Sequence, residues 1–439
     1  MDEPPRPRRS PRILLGLGRT VVALVAVAVL AGTGYAWALY RSFSTDLATS
    51  EVLAARPTER APASAPRRSY TALLVGMDSR TDAHGDPLSP ELLAAIHAGD
   101  DGGELHTDTI MLVRVPADPG APVVTVSFPR DSYVPIADGS GRHKINSAYG
   151  RGYRAEQDRL EAQGVSGADL DRRSREAGRA TLVATVEQAS GTTIDHYAEV
   201  NLAGFVELTD TLGGVPVCLN RPVDDRAYSG VDLPAGPQTV TGGTALAFVR
   251  QRHGLDGGDL DRITRQQAYM AGLTHQVLAT GTLTDPGRVA DLLGVVTRYV
   301  VLDSGWNLEQ LVGQLGTLAG ADVVFRTIPT VRPDLSTPSD GMAVEVDDAA
   351  VRAFVHTVLY SDARAGETPG PTTDTPDATR IRASGPTETT GPAPTTAPTT
   401  TVPTTTVPTT TVPTTAVPTP ADPWRDRPVI DAAAVPCVN

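Results

Sequence analysis

The sequence predicts an α/β protein: a three-layer helix/sheet/helix sandwich with a mixed central sheet, preceded by one transmembrane helix and followed by a disordered Thr/Pro-rich tail. Three observations predict it. Short β-branched runs alternate with stretches of helical spacing over 70–362, an uncharged run lies near the start, and a Thr/Pro repeat fills 363–423.

The uncharged run is Val21–Tyr40. At about 1.5 Å per residue it is long enough to cross a bilayer core. Arg6, Arg8, Arg9, Arg12 and Arg19 precede it against only Asp2 and Glu3, a bias that keeps 1–19 cytoplasmic and places the rest outside. The expectation is a single-pass protein of the cell membrane, anchored through 20–40. A cleaved signal peptide competes, because Ala36-Trp37-Ala38 resembles a cleavage site, but the run exceeds the roughly 7–15 residues of a signal core. Residues 41–69 read as a polar stalk.

Within 70–362, strand signals fall at Tyr70–Gly76, Thr109–Val115, Val123–Phe128, His196–Val200, Val215–Leu219 and Val323–Pro329. Apolar residues at three-to-four spacing predict helices at Arg179–Ser190, Leu202–Thr211, Asp285–Val300, Leu308–Leu318 and Asp347–Leu359. Thr241 is an N-cap candidate for a helix reaching Arg252. Ile263, Met270, Leu273 and Val277 form a further stripe, with Arg262, Gln266 and Tyr269 on the neighbouring face. Thr81–Leu105 and Gly150–Arg179 read as loops, and Tyr133, Tyr149 and Phe205 as core.

The tail repeats TVPTT over Thr401–Thr415. Proline at every fifth position with no apolar face to bury gives an extended, solvated spacer. Residues 424–439 regain apolar side chains and end VPCVN. The two cysteines, Cys218 and Cys437, belong to a chain read as extracellular, so they are expected to pair and dock that last segment on the domain.

A net charge of −13 makes a nucleic-acid partner a poor fit. Against that acidic background, Phe248–Gln267 (FVRQRHGLDGGDLDRITRQQ) concentrates four arginines. Arg250 and Arg252 lie two apart, and Arg262 and Gln266 one helical turn apart. Planar guanidinium forks pair two phosphate oxygens at once, so the cluster suggests an anion site. The alternative is a solvated helix face neutralised by Asp256, Asp259 and Asp261. His84, His97, His143 and His196 show no paired metal spacing. Cys218 has no base near it in sequence, and no small-x-Ser-x-small elbow precedes a helix.

Read in order, LLVGMDSR, HTDTIML, VSFPRDSYVPI, KINSAYGRG, LGGVPV, VRQRH and DLDRITRQQ resemble the LytR-CpsA-Psr family of cell-wall glycopolymer transferases over about Tyr70–Leu359. The resemblance implies a phosphotransferase that moves a glycan from a polyprenyl-pyrophosphate carrier onto a peptidoglycan acceptor. It implies magnesium (or manganese) on Asp78 and Asp108, with either acid able to take the acceptor's proton. Arg80, Arg130, Arg250, Arg252 and Arg262 match the family's phosphate-gripping arginines, Gln266 is an added donor, and Lys144 falls at the family's lysine. Asp131 is expected to brace Arg130, and Asp259 either to buttress the arginines or to bind metal. His106 departs from the pattern, standing where the family commonly has arginine. That departure keeps open a second function, a non-catalytic binding protein for phosphoglycans or polyprenyl phosphates. Simple pyrophosphate hydrolysis, with water replacing the acceptor, is a third.

Overall fold

A computed structural model describes residues 46–54, 68–96, 105–251 without 119 and 227, 254, 255, 258–279, 285–306, 322–360 and 429–439 without 433, together with 26, 30, 33, 34 and 41. The first half contains β1 (Ala48–Ser50), β2 (Tyr70–Met77), α1 (Pro90–Ala95), β3 (Thr107–Val115), β4 (Val123–Ser127) and the hairpin of β5 (Tyr133–Ile136) and β6 (Gly141–Lys144). It continues through α2 (Ala148–Glu161), α3 (Gly167–Ser190), β7 (His196–Asn201) and α4 (Leu202–Thr211). Next come β8 (Val215–Leu219), β9 (Val223–Asp225), β10 (Val231–Leu233), β11 (Gly236–Val240), α5 (Gly242–Arg250), α6 (Asp259–Ala279) and α7 (Pro286–Tyr299). The last elements are β12 (Val300–Asp303), β13 (Val323–Thr327), β14 (Arg332–Ser336), β15 (Met342–Glu345), α8 (Asp348–Tyr360), β16 (Ile430–Asp431) and β17 (Cys437–Val438).

Eight strands form one sheet in the order β1-β12-β7-β2-β3-β4-β13-β16. It is mixed. β2 runs parallel to β7, and β4 to β13, while β3 is antiparallel to both its neighbours. Strand alternation decides the layers. Leu73 and Val75 of β2, Ile110 and Leu112 of β3, and Tyr197 of β7 face Tyr149, Leu182, Val186 and Val355, the buried residues of α2, α3 and α8. A second core gathers α4, α5 and α6 with the small sheet β11-β8-β17 around Val217, Phe248 and Tyr269.

Three expectations need correction. Thr81–Leu105, read as a loop, carries the short helix Pro90–Ala95, capped by Ser89. Gly150–Arg179, read as a loop, is helical over most of its length. Its contact stripe is built from small residues rather than large apolar ones, so the usual period is faint: a Cβ on Gly152 would lie 2.3 Å from Thr181 Oγ1, and one on Gly178 would lie 2.9 Å from the Tyr149 ring. Glycine at both places lets α2 and α3 meet backbone to backbone. The stalk 41–69 is also not all stalk. Ala48–Ser50 extends the sheet beside β12, Leu53 is buried, and Ser50 Oγ donates to Glu176 Oε2 at 2.8 Å. ATS carries no strand signal of its own, so the open edge of β12 supplies the pairing. The expected anchor 20–40, apart from 26, 30, 33 and 34, lies outside the described residues, as do Leu308–Leu318 and 363–423. Among the described residues no helix is long and apolar enough to cross a membrane.

Under α3 the core holds a charge pair. Arg179 Nε donates to Glu199 Oε2 at 2.9 Å, Tyr197 OH donates to the same oxygen at 2.7 Å, and both charged groups are buried. Burial opposes the Glu199 charge, but Arg179 outweighs it and holds the carboxyl below the usual range. The depressed folded-state value means that the pair's contribution is present above the ordinary glutamate range and is lost as pH falls through the folded value. Arg179→Met strands the carboxylate and costs about 3–5 kcal/mol. Urea unfolding at neutral pH measures the loss, and the deficit narrows in acid.

The segment 429–439 returns to the domain. β16 pairs with the outer side of β13, β17 lies parallel to β8, and a disulfide joins Cys218 to Cys437.

Candidate functional site

The site begins with a register fault between β2 and β3. Gly76 pairs with Thr109 and Met77 with Thr107, so Asp108 is the extra residue of a β-bulge, a device that re-aims a side chain. Asp78, just beyond β2, donates its backbone N–H to His106 O at 3.0 Å. The thirty positions between the two acids in sequence are closed by this antiparallel pairing.

Around them fold the arginines. Arg130, after β4, donates to Asp108 Oδ1 at 2.5 Å. Arg250, which ends α5, puts Nη2 4.0 Å from Asp78 Oδ2. Arg262 comes from the first turn of α6, where its Nη2 meets Asp259 Oδ1 at 2.6 Å, and Asp259 Oδ1 also lies 3.6 Å from Arg130 Nε. Asp259 is therefore a buttress between two arginines. Asp131 sits 3.8 Å from Arg130 Nε and 3.3 Å from Lys144 Nζ, which ties Lys144 to the cluster one residue removed. Arg80 and His106 are close enough to act on the Asp78 charge. Arg252 lies outside the described residues.

Electrostatics separate the two acids. Burial, then the neighbouring Asp108, pushes the Asp78 carboxyl above the usual aspartate range against the pull of Arg250, Arg80 and His106. Burial acts the same way on Asp108, but Arg130 and Arg262 outweigh it and hold that carboxyl below the range. Burial, with the like charge of Arg130, also lowers Arg262, although Asp259 and Asp108 support it. Several polar atoms here are buried without a hydrogen-bond partner: Asp78 Oδ1, Arg130 Nε and Arg262 Nε. In a folded interior such atoms are rare, and each calls for a partner from outside the chain, water or ligand.

Beside the cluster lies a cavity of about 190 Å³. Leu74, Met111, Ala198 and Val200 of β2, β3 and β7 form its floor. Leu202 and Phe205 of α4, Leu246 and Val249 of α5, and Tyr269 and Met270 of α6 form the roof. Asp108, Arg250, Arg262 and Gln266 line it too, and they are its polar end. Leu74, Gly76, Ala198 and Val200 stay only half-buried in the middle of the sheet because they face this space. Tyr269 is held by its hydroxyl contact with Thr209 at 2.5 Å. Phe205, read as core, is a wall of the cavity, whereas Tyr149 is core and Tyr133 packs beneath Arg142. The apolar lining was missed in the sequence, where a strand face against helices and one against a cavity alternate alike. Gln267 was missed as well: its Nε2 donates to Ser127 Oγ and Thr327 Oγ1, both at 2.9 Å, and locks α6 to the sheet.

A mixed sheet roofed by helices thus leaves an apolar cavity closed at one end by arginines and a carboxylate. The chain belongs to the LytR-CpsA-Psr family: residues 38–351 match the LytR_cpsA_psr family. It is 48% identical over 288 residues to the cell wall biosynthesis protein LcpA of Corynebacterium glutamicum, covering 65% of this chain and 55% of that protein. It is 29% identical over 269 residues to the polyisoprenyl-teichoic acid–peptidoglycan teichoic acid transferase TagU of Bacillus mycoides, covering 61% and 74%. With 53% of the probable cell wall biosynthesis protein LcpB of C. glutamicum also matched, the chain spans about half the length of these corynebacterial relatives. A LytR-Csp2A-Psr enzyme from Actinomyces oris superposes with a TM-score of 0.45 at 22% identity, over 70% of this chain and 93% of that one.

Proposed function

We propose that the protein is a membrane-anchored extracellular phosphotransferase that moves a glycan phosphate from a polyprenyl-pyrophosphate carrier onto a peptidoglycan hydroxyl. One observation carries this reading: an apolar cavity ends at Asp108, Arg250, Arg262 and Gln266, and Arg262 Nε is buried there without a hydrogen-bond partner. A prenyl chain suits the cavity, and a diphosphate suits the end. The names of the corynebacterial and Bacillus relatives support a part in cell-wall assembly.

The residues fit a divalent cation. Asp78 Oδ1 is buried without a hydrogen-bond partner beside a second carboxylate, and hard carboxylate oxygens are what magnesium takes, leaving its other positions to water and phosphate. Asp78 and Asp108 would hold it, and it would supply charge neutralisation at the diphosphate. The chain's own groups do the rest. Arg130, Arg250 and Arg262, with Arg80 and Arg252, spread the charge of the phosphorus centre, and Gln266 adds a neutral donor. The acceptor oxygen forms its bond to the glycan-side phosphorus as the bridging P–O bond breaks, and polyprenyl phosphate leaves. Asp78, whose carboxyl is raised, takes the acceptor's proton in preference to Asp108, which is pinned by Arg130.

Labelled glycan-pyrophosphoryl-polyprenol, supplied with peptidoglycan fragments and magnesium, tests the assignment. Label is expected to move to the acceptor, and to appear as free glycan phosphate when the acceptor is omitted. Cation binding weakens on acidification at a pH above the usual aspartate range, because protons compete for the raised Asp78 carboxyl. Asp78→Ala removes both transfer and hydrolysis. Tight binding without turnover by the intact protein favours the binding-protein reading instead.

A further inference from the structure

Arg265 is a buried arginine that the chemistry above does not use. It is 1% exposed and lies on α6 one turn beyond Arg262, facing away from the cavity. Its Nη1 donates to Gln251 Oε1, its Nε donates to the main-chain oxygen of Asn439 at 2.6 Å, and its guanidinium lies 5.2 Å from the centre of the Phe248 ring on α5. Gln251 directly follows Arg250 and precedes Arg252. One side chain thus links both arginine-bearing helices to the segment 437–439. That segment is fixed independently: Cys437 is bonded to Cys218, Asn220 N–H donates to Val438 O at 2.8 Å, and Asn220 Nδ2 donates to Cys437 O at 3.3 Å.

We propose that segment 437–439, latched by the Cys218–Cys437 disulfide, is a positioning clamp for the anion end of the cavity, with Arg265 as the positioning residue through which it acts. The proposal rests on the phosphotransferase reading for its kinetic consequence, but not for its geometry. A guanidinium with two fixed acceptors and an aromatic floor has one low-energy placement. Removing the Asn439 oxygen leaves a buried donor unpaired and loosens the Arg265–Gln251 contact, and with it the backbone that carries Arg250. A phosphate site loosened by about 1 Å loses affinity without losing its residues.

The test uses the full chain, with geranylgeranyl pyrophosphate and magnesium as the probe. Arg265→Met, and separately wild type treated with reductant, are expected to raise KM about tenfold with a smaller change in kcat. Arg265→Lys, which keeps a donor for Asn439, recovers part of the loss. The Cys218→Ala/Cys437→Ala variant is expected to match the reduced wild type and to show no response to reductant. Hydrogen exchange read without substrate should speed up at 248–251 and in the first turns of α6, while α3 stays unchanged. If Arg265→Met does not fold, reduction of the wild type carries the same readouts. Unchanged exchange in those turns, or a lower melting temperature with KM untouched, overturns the clamp. A wild type inert towards the probe counts against the phosphotransferase reading alone, and the exchange result then decides the clamp.

Discussion

Arg262→Met is expected to lower kcat/KM for a prenyl pyrophosphate by about 10³-fold, the scale seen when a preorganised donor is removed from a water-poor site. Arg262 is 2% exposed, it lines the polar end of the cavity, and its Nε has no hydrogen-bond partner. Its charge is held in place by Asp259 at 2.6 Å and in turn supports Asp108. A bound diphosphate offers this buried guanidinium oxygens that the protein does not, so the interaction grows as negative charge gathers on the leaving oxygen. Methionine also strands Asp259 in the interior, and a fall in activity could then reflect instability. The Asp259→Asn/Arg262→Met double variant removes that stranded charge. If the double variant regains the wild-type urea midpoint and still lacks activity, the arginine acts on substrate. Recovery of activity to within about fivefold of wild type would assign Arg262 a purely structural part.

The sequence made the central strands and the helix Leu202–Thr211 legible because each announces itself locally. β2 to β4 are short runs rich in apolar and β-branched residues, and α4 starts at Asn201, whose Oδ1 accepts the Gly204 N–H at 2.7 Å, and stops at Gly213-Gly214. Seven of the nine residues named as binding or catalytic gather around one spot, Lys144 joins through Asp131, and Arg252 lies outside the described residues. Their proximity was not readable from spacing. It comes from the bulge at Asp108 and from helices α5 and α6, which arrive from far along the chain. The cavity was hidden for a deeper reason: Leu74, Ala198 and Val200 occupy ordinary strand positions, and only the packing of α4 above them decides whether that face is filled or open. α2 was hidden for the opposite reason, since its contact with α3 is so close that glycines replace the large side chains that would have shown the period.

Openness of that face makes Ala198→Trp the sharpest test of what the cavity is for. Ala198 lies in mid-sheet, paired with Leu74 on one side and Leu302 on the other, and its side chain meets the cavity rather than a packed neighbour. In a filled core the added indole would cost about 1–3 kcal/mol through overpacking. Here it enters a space of about 190 Å³, so the urea midpoint is expected to stay near wild type. Binding of a long prenyl chain suffers instead. At about 0.8 kcal/mol per buried CH₂, losing room for one five-carbon unit removes some 3–4 kcal/mol, a several-hundred-fold rise in KM for a long-chain pyrophosphate. Dimethylallyl pyrophosphate, whose tail ends near the charged groups, should be handled as by wild type. A selective loss of the long substrate at unchanged stability requires that the hydrocarbon lie in this cavity. Equal loss of both chain lengths, or of neither, would mean that the lipid runs elsewhere, and the apolar lining would then have no part in recognising the carrier.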